Sequence, residues 1–183
     1  MTEDLQEILL DSDTLGKRVS EIGEEVSRHY GAEEILLITL LDGAIVFTAD
    51  LIRSLRNPIT LDCIRVSSYG NSATPETAPR ILENTRSDVD GRHVLLVDDI
   101  LDTGNTLSRV REEVLSQNPA SVRACVLLDK AERRETPFQA DWVGFSIPDH
   151  FVVGYGLDYA GRYRQLPHVA ILKPEVYASQ TPS

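Results

Sequence analysis

Residues 94–107 read VLLVDDILDTGNTL, and no other stretch restricts the architecture so tightly. Val94, Leu95, Leu96 and Val97 form an apolar run of the kind found in a strand covered on both faces. Asp98 and Asp99 follow, then two apolar residues, then Asp102-Thr103-Gly104-Asn105-Thr106, and an amphipathic helix is predicted over 106–116. A strand ending in acids, a hydroxyl-bearing turn and a helix start belong together in an α/β fold. They also shape an anion site, because the first N–H groups of a helix have no intrahelical partner and its dipole favours negative charge there. Thr103 and Thr106 add hydroxyl donors, and Gly104 lets the backbone approach a ligand. Acids beside a phosphate cradle repel the ligand unless they hold a cation or sugar hydroxyls. The combination points to a sugar phosphate bound with Mg²⁺. A Walker A loop is excluded by the glycine spacing and the missing Lys-Ser/Thr pair, and no GxGxxG fingerprint is present.

The rest of the chain repeats the strand–helix alternation. Leu15, Val19, Ile22, Val26 and Tyr30 recur at helical spacing and predict a helix over 14–30, with Asp13 as N-cap and Gly31 as its stop. Strands are predicted over 35–41, 59–66, 94–100 and 122–128, and helices over 44–55 and 106–116, the latter with Leu107, Val110, Val114 and Leu115 turned inward. Residues 67–79 are rich in Ser, Gly, Asn, Thr and Pro and predict a long polar loop of the lid type, with 80–82 as a short return strand. Shorter strands are expected around Trp142, Val152 and Ile171. Alternation of this kind implies right-handed crossovers and a mainly parallel central sheet flanked by helices. Ligands then gather at the carboxyl ends of the strands, just where Asp42, Asp98, Asp99 and Lys130 fall.

Composition narrows the function. The chain has 183 residues, enough for one domain spanning 1–183, and 42% hydrophobic and 26% charged residues are ordinary for a soluble protein. A net charge of −11 argues against nucleic acid or an anionic membrane as partner. No apolar run reaches the length of a membrane span, and the acidic start MTEDLQEILL lacks the basic region of an export signal, so a cytoplasmic location is expected. Cys63 and Cys125 each fall in a predicted strand and are expected to be buried free thiols.

The segment from Asp98 to Thr106 resembles the phosphoribosyl pyrophosphate (PRPP) motif of type I phosphoribosyltransferases. Residues 35–56 (ILLITLLDGAIVFTADLIRSLR), 61–70 (LDCIRVSSYG) and 142–164 (WVGFSIPDHFVVGYGLDYAGRYR) narrow the resemblance to the hypoxanthine-guanine branch, over nearly the whole chain. The resemblance implies that fold, with a small hood and a flexible lid at about 67–85. It implies transfer of ribose 5-phosphate from PRPP to N9 of a 6-oxopurine, giving IMP or GMP and pyrophosphate, with Mg²⁺, in a homodimer or homotetramer. Asp98 and Asp99 then match the acids that hold ribose hydroxyls and, directly or through water, the metal. Asp102 matches the general base at purine N7, and Thr103, Gly104, Asn105 and Thr106 the 5-phosphate cradle. Lys130 matches the donor to O6, Trp142 the aromatic that stacks on the base, and Val143 a backbone reader of the purine edge. Asp149 matches a second metal-associated carboxylate, Arg164 a pyrophosphate contact, and Ser68 and Tyr69 the leading pair of the lid.

One departure stands out. The pyrophosphate loop of the family usually carries Lys or Arg between Leu and Gly, often after a cis peptide, whereas this chain reads Leu41-Asp42-Gly43. Weaker PRPP affinity or an altered metal requirement is the expectation. Asn105 stands where many relatives have Lys, which shifts phosphate binding toward backbone donors. Three other readings share parts of this pattern. A xanthine-directed enzyme keeps the PRPP site. A nucleotide-sensing regulator that binds RNA needs a basic stripe that is not seen. A catalytically weak interaction protein is at odds with Asp98, Asp99, Asp102 and Lys130.

Overall fold

A computed structural model describes residues 2–67, 80–83 and 85–178. The first long helix, α1 (Ser12–Tyr30), starts two residues earlier than expected. Asp11, not Asp13, is its N-cap, the Asp11 carboxylate accepting from Thr14 N at 2.8 Å. Asp13 instead lies in the first turn, where its charge meets the helix dipole. Gly31 ends the helix at φ 62°, a conformation open to glycine.

Five parallel strands form the body of the molecule: β2 (Ile35–Leu41), β3 (Ile59–Ser67), β5 (His93–Leu101), β6 (Ser121–Asp129) and β7 (Trp142–Ser146). Their spatial order is β3-β2-β5-β6-β7, with β4 (Arg80–Glu83) antiparallel on the β3 edge, as the return strand predicted. The register is pinned by pairs such as Ile35 with Ile59 and with His93. Alternation along the strands divides the core in two. Leu37, Leu95 and Val97 face α1 and α2 (Ile45–Ser54). Leu36, Ile38, Val94 and Leu96 face α3 (Asn105–Leu115), through Leu107, Val110 and Val114. Leu115, expected on that inner face, is 52% exposed because it ends the helix. Cys63 is likewise exposed rather than buried, near the sheet edge, whereas Cys125 is buried at the centre, and both are free thiols.

A second sheet contains the short strands expected around Val152 and Ile171, joined by an N-terminal strand that was not expected. In it β1 (Leu5–Leu10), β9 (Val169–Leu172) and β8 (Val152–Val153) pair antiparallel in the order β1-β9-β8. The short helix α4 (Pro174–Ala178) follows β9. Of the expected lid at 67–85, residues 68–79 and 84 lie outside the described set. No described helix is long and apolar enough to cross a membrane.

Two glycines of α1 separate local from tertiary energetics. A Cβ at Gly16 meets nothing within 4 Å, whereas one at Gly23 falls 2.5 Å from Ser54 Cβ. Gly16→Ala is expected to stabilise the fold by about 0.5–1 kcal/mol, the helix-propensity difference. Gly23→Ala gains the same propensity but is expected to lose about 1–3 kcal/mol in net by forcing α1 from α2. Urea unfolding of both variants checks the pair, and equal shifts in one direction would contradict it.

Candidate active site

β5 carries its acids inside the sheet, since it stays paired with β6 from His93 with Ser121 to Leu101 with Asp129. Asp98 is buried and Asp99 is half-buried. Asp99 N donates to Asp98 Oδ1 at 3.0 Å, and Ile100 N to Asp99 Oδ1 at 2.9 Å. Burial pushes the Asp98 carboxyl well above the usual carboxylate range, and the charge of Asp99 adds to the rise. Burial also raises Asp99, partly opposed by hydrogen bonds and by the Arg164 charge. Among the described residues neither carboxylate is in an ion pair, so this acidic pair fits a divalent cation with oxygen ligands.

The turn after β5 holds its backbone donors ready. Gly104 precedes α3 at φ 86° and supplies no side-chain cap. Asn105 N donates to Thr103 Oγ1 at a long 3.4 Å, and the next N–H groups of the first turn face outward without intrahelical partners. A Cβ there would fall 2.8 Å from Thr136 O, so the turn is packed as well as conformationally special. Glu135 N and Thr136 N both donate to Thr103 O, at 2.9 and 3.0 Å. The Asn105 amide is spent on Glu135 and Thr136, so it does not replace a phosphate-binding lysine. Arg134 fixes the Asp102 backbone by donating to its carbonyl at 2.7 Å, and also pairs with Asp129. The Asp102 side chain is less settled. Its buried Oδ1 has no hydrogen-bond partner, although Arg133 Nε lies 3.1 Å away.

Lys130 is buried at the end of β6, its N–H donating to Leu101 O at 3.0 Å. Its Nζ lies 3.5 Å from Asp149 Oδ1, and Arg133 approaches the same oxygen at 3.7 Å. Asp102, Lys130, Arg133 and Asp149 therefore form one charged cluster beside the turn. On its other side, the 41–43 loop touches the acid pair: a Cβ at Gly43 would fall 1.8 Å from Asp99 Oδ2. The Leu41–Asp42 peptide bond is cis. Gly156 packs on this loop so closely that a Cβ would sit 2.2 Å from Gly43 O. Arg164 donates to Gly156 O at 2.7 Å and pairs with Asp158 at 2.9 Å.

Three expected placements change. Trp142 opens β7 opposite Cys125, five residues before Lys130, so it lies about 16 Å from the ligand end at the usual rise per residue. There it meets His29 edge-on at 5.3 Å, a core-rim contact. Val143 is at the same far end, and its carbonyl is already taken by Arg18 Nη2 at 2.9 Å. Asp149 does lie at the ligand end, but it faces Lys130 and Arg133. No group of three His, Cys, Asp or Glu side chains placed to hold a metal ion is found among the described residues. Ser68 and Tyr69 lie outside the described residues. Two further residues are candidates for the roles first given to Trp142 and Asp149. Phe151 follows the Asp149 turn, is 38% exposed, and stacks on Tyr177 at 4.8 Å. Asp158 is the carboxylate that Arg164 links to the Asp99 side. WVGF and FVVGYG both offer an aromatic followed by valine, and only the strand polarity tells them apart.

A family model described as the phosphoribosyl transferase domain matches residues 6–160. The hypoxanthine-guanine phosphoribosyltransferase of Bacillus subtilis is 41% identical over 98% of this chain and 99% of that protein. The chain is also 40% identical to the bifunctional protein TilS/HprT of Listeria innocua, of whose length it spans 28%. Among solved structures, the hypoxanthine phosphoribosyltransferase of Trypanosoma cruzi in complex with the product IMP superposes with a TM-score of 0.89. It is 40% identical, over 96% of this chain and 98% of that one.

Proposed function

Since this chain belongs to the phosphoribosyl transferase family, we propose that it moves the 5-phosphoribosyl group of PRPP to N9 of hypoxanthine or guanine, in purine salvage. The observation that carries this reading is the conjunction at the end of β5. An acid pair, Asp98 buried and Asp99 half-buried, with no ion pair among the described residues, stands beside a helix N-terminus without a side-chain cap from Gly104 and beside a buried lysine. The helix N-terminus and the Thr103 and Thr106 hydroxyls take the 5-phosphate. Asp98 and Asp99 hold the ribose hydroxyls, and with substrate oxygens they would hold Mg²⁺, which would offset the charge of the departing pyrophosphate. The C1′–O bond to pyrophosphate breaks as the C1′–N9 bond forms, and Asp102 accepts the proton leaving N7. Lys130 donates to O6, which selects 6-oxopurines over adenine, whose 6-amino group is itself a donor. Phe151 takes the stacking role first given to Trp142, and Asp158 the acidic role first given to Asp149. The site is completed by the 41–43 loop, Arg164, and a lid led by Ser68 and Tyr69, within one unit spanning 1–183. A cytoplasmic homodimer or homotetramer without nucleic-acid or membrane partners belongs to the same reading.

The test is an assay with PRPP, Mg²⁺ and each of hypoxanthine, guanine, xanthine and adenine, repeated with Lys130→Met. Nucleotide is expected from hypoxanthine or guanine, with adenine slower by orders of magnitude. Lys130→Met is expected to lose about 100-fold or more in kcat/KM for the 6-oxopurine. Absence of PRPP-dependent product from all four bases, or equal use of adenine, would refute the reading.

A further inference from the structure

The chain has exchanged a cation for Asp42 in a loop that, on the reading above, meets a polyanion. The cation has not left the site. β2 and β3 run in parallel with Leu41 opposite Arg65, so the strand register delivers Arg65 to the same loop. Its Nη2 lies 2.8 Å from Asp42 Oδ1. An ion pair this open, with the two side chains 48% and 54% exposed, contributes little to stability in water. Its placement is more telling. The next residue, Gly43, abuts Asp99, so the pair stands at the rim of the acidic centre.

Charge at this rim is uneven. Asp42 and Asp99 bear on it directly, with Asp98 adjoining Asp99 and Asp158 paired to Arg164, whose charge acts on Asp99. Among the described residues the guanidinium groups facing them are those of Arg164 and Arg65. Arg164 is occupied by Asp158 and by Gly156 O. Arg65 commits one nitrogen to Asp42 among the described residues, and a guanidinium has five N–H donors arranged to match phosphate oxygens. We propose that Arg65 is the cation that binds the pyrophosphate end of PRPP, and that Asp42 is a positioning residue that holds Arg65 over the loop. This rests on the proposed function only for the identity of the polyanion. It revises the expectation drawn from Asp42 alone, because the carboxylate orients a donor and is neutralised by it.

Steady-state kinetics of the full chain with Mg²⁺ tests the assignment. Arg65→Gln is expected to raise the PRPP KM and the inhibition constant of inorganic pyrophosphate together, roughly tenfold or more. The hypoxanthine KM and kcat are expected to stay within about twofold. Arg65→Lys restores part of the loss. Asp42→Asn gives a smaller rise in the PRPP KM, about threefold, by freeing the guanidinium. Unchanged PRPP KM and pyrophosphate inhibition in Arg65→Gln would overturn the inference. So would equal losses for both substrates without rescue by Lys, which would mark a structural role. Calorimetric binding of Mg²⁺-pyrophosphate to wild type and Arg65→Gln separates this inference from the function it rests on. If the wild type makes no nucleotide, the proposed function fails, and equal pyrophosphate affinity of the two proteins would then sink the Arg65 assignment as well. Weaker binding by the variant would uphold it.

Discussion

Asp102→Asn is expected to lower kcat for hypoxanthine by about 10²- to 10⁴-fold while changing the affinity for IMP only a few-fold. The asymmetry follows from how the residue is held. Its backbone is fixed by Arg134, which donates to the Asp102 carbonyl at 2.7 Å, and asparagine leaves that contact in place. The 103–106 turn, the proposed phosphate cradle, is tied to residues 135 and 136 through Thr103 O, which the substitution does not touch. Ground-state binding of a nucleotide therefore has little reason to change. What is lost is the carboxylate itself, whose Oδ1 is buried without a hydrogen-bond partner and lies 3.1 Å from Arg133 Nε, and with it the proposed acceptor of the N7 proton. An amide of the same shape cannot accept that proton. The check is single-turnover and steady-state kinetics alongside calorimetric titration with IMP. Turnover within about threefold of wild type would remove Asp102 from the role of base. A parallel collapse of IMP affinity and thermal stability would show that it holds the turn instead.

The sheet and the acidic turn between β5 and α3 were legible because their signals are local. Continuous apolar runs such as residues 35–41 mark strands covered on both faces, and the acids of residues 98–102 follow such a run directly. The Asp11 cap was missed because Asp11 and Asp13 are equivalent by composition, and only the bond to Thr14 N separates them. β1 was missed because its pairing partner, β9, lies some 160 residues along the chain and LQEILL carries no clean alternation. Trp142 and Phe151 show the limit most clearly. Each is an aromatic before valine in the same segment, and residue type cannot say which end of a strand reaches the ligand. Register places Trp142 opposite Cys125, at the far end of β6, which favours Phe151 on the proposed reading. The Asp42 substitution was legible as an anomaly, but its answer, Arg65, comes from a neighbouring strand and so from tertiary structure.

Asp98→Asn is expected to move stability and activity in opposite directions. The carboxyl is buried beside a second acid, and its raised pKa means that the folded ligand-free protein resists carrying both charges. Asparagine keeps an oxygen to accept from Asp99 N, so the local hydrogen bond survives while one charge disappears. The ligand-free variant should gain on the order of 1–2 kcal/mol at neutral pH, or roughly 3–6 °C in Tm for a chain of this size. The sign with pH follows from linkage. A carboxyl whose folded pKa is raised contributes stability that is present below its unfolded value, near 3.8, and lost as pH rises through the folded value. The advantage of Asn is therefore largest at neutral and alkaline pH and vanishes toward pH of about 4. On the proposed function activity runs the other way, because the same charge would hold a divalent cation and the ribose hydroxyls. A fall of about 10²- to 10³-fold in kcat/KM for PRPP is expected, with loss of the thermal stabilisation that Mg²⁺ and PRPP together give the wild type. Thermal unfolding across pH, with and without Mg²⁺ and PRPP, reads both effects. A variant no more stable than wild type in the ligand-free state, yet still stabilised by metal and PRPP, would show that Asp98 carries neither the strain nor the ligand. The acid pair would then be an ordinary feature of the strand end, because a site that binds charge by withholding a counter-ion must be less stable when empty.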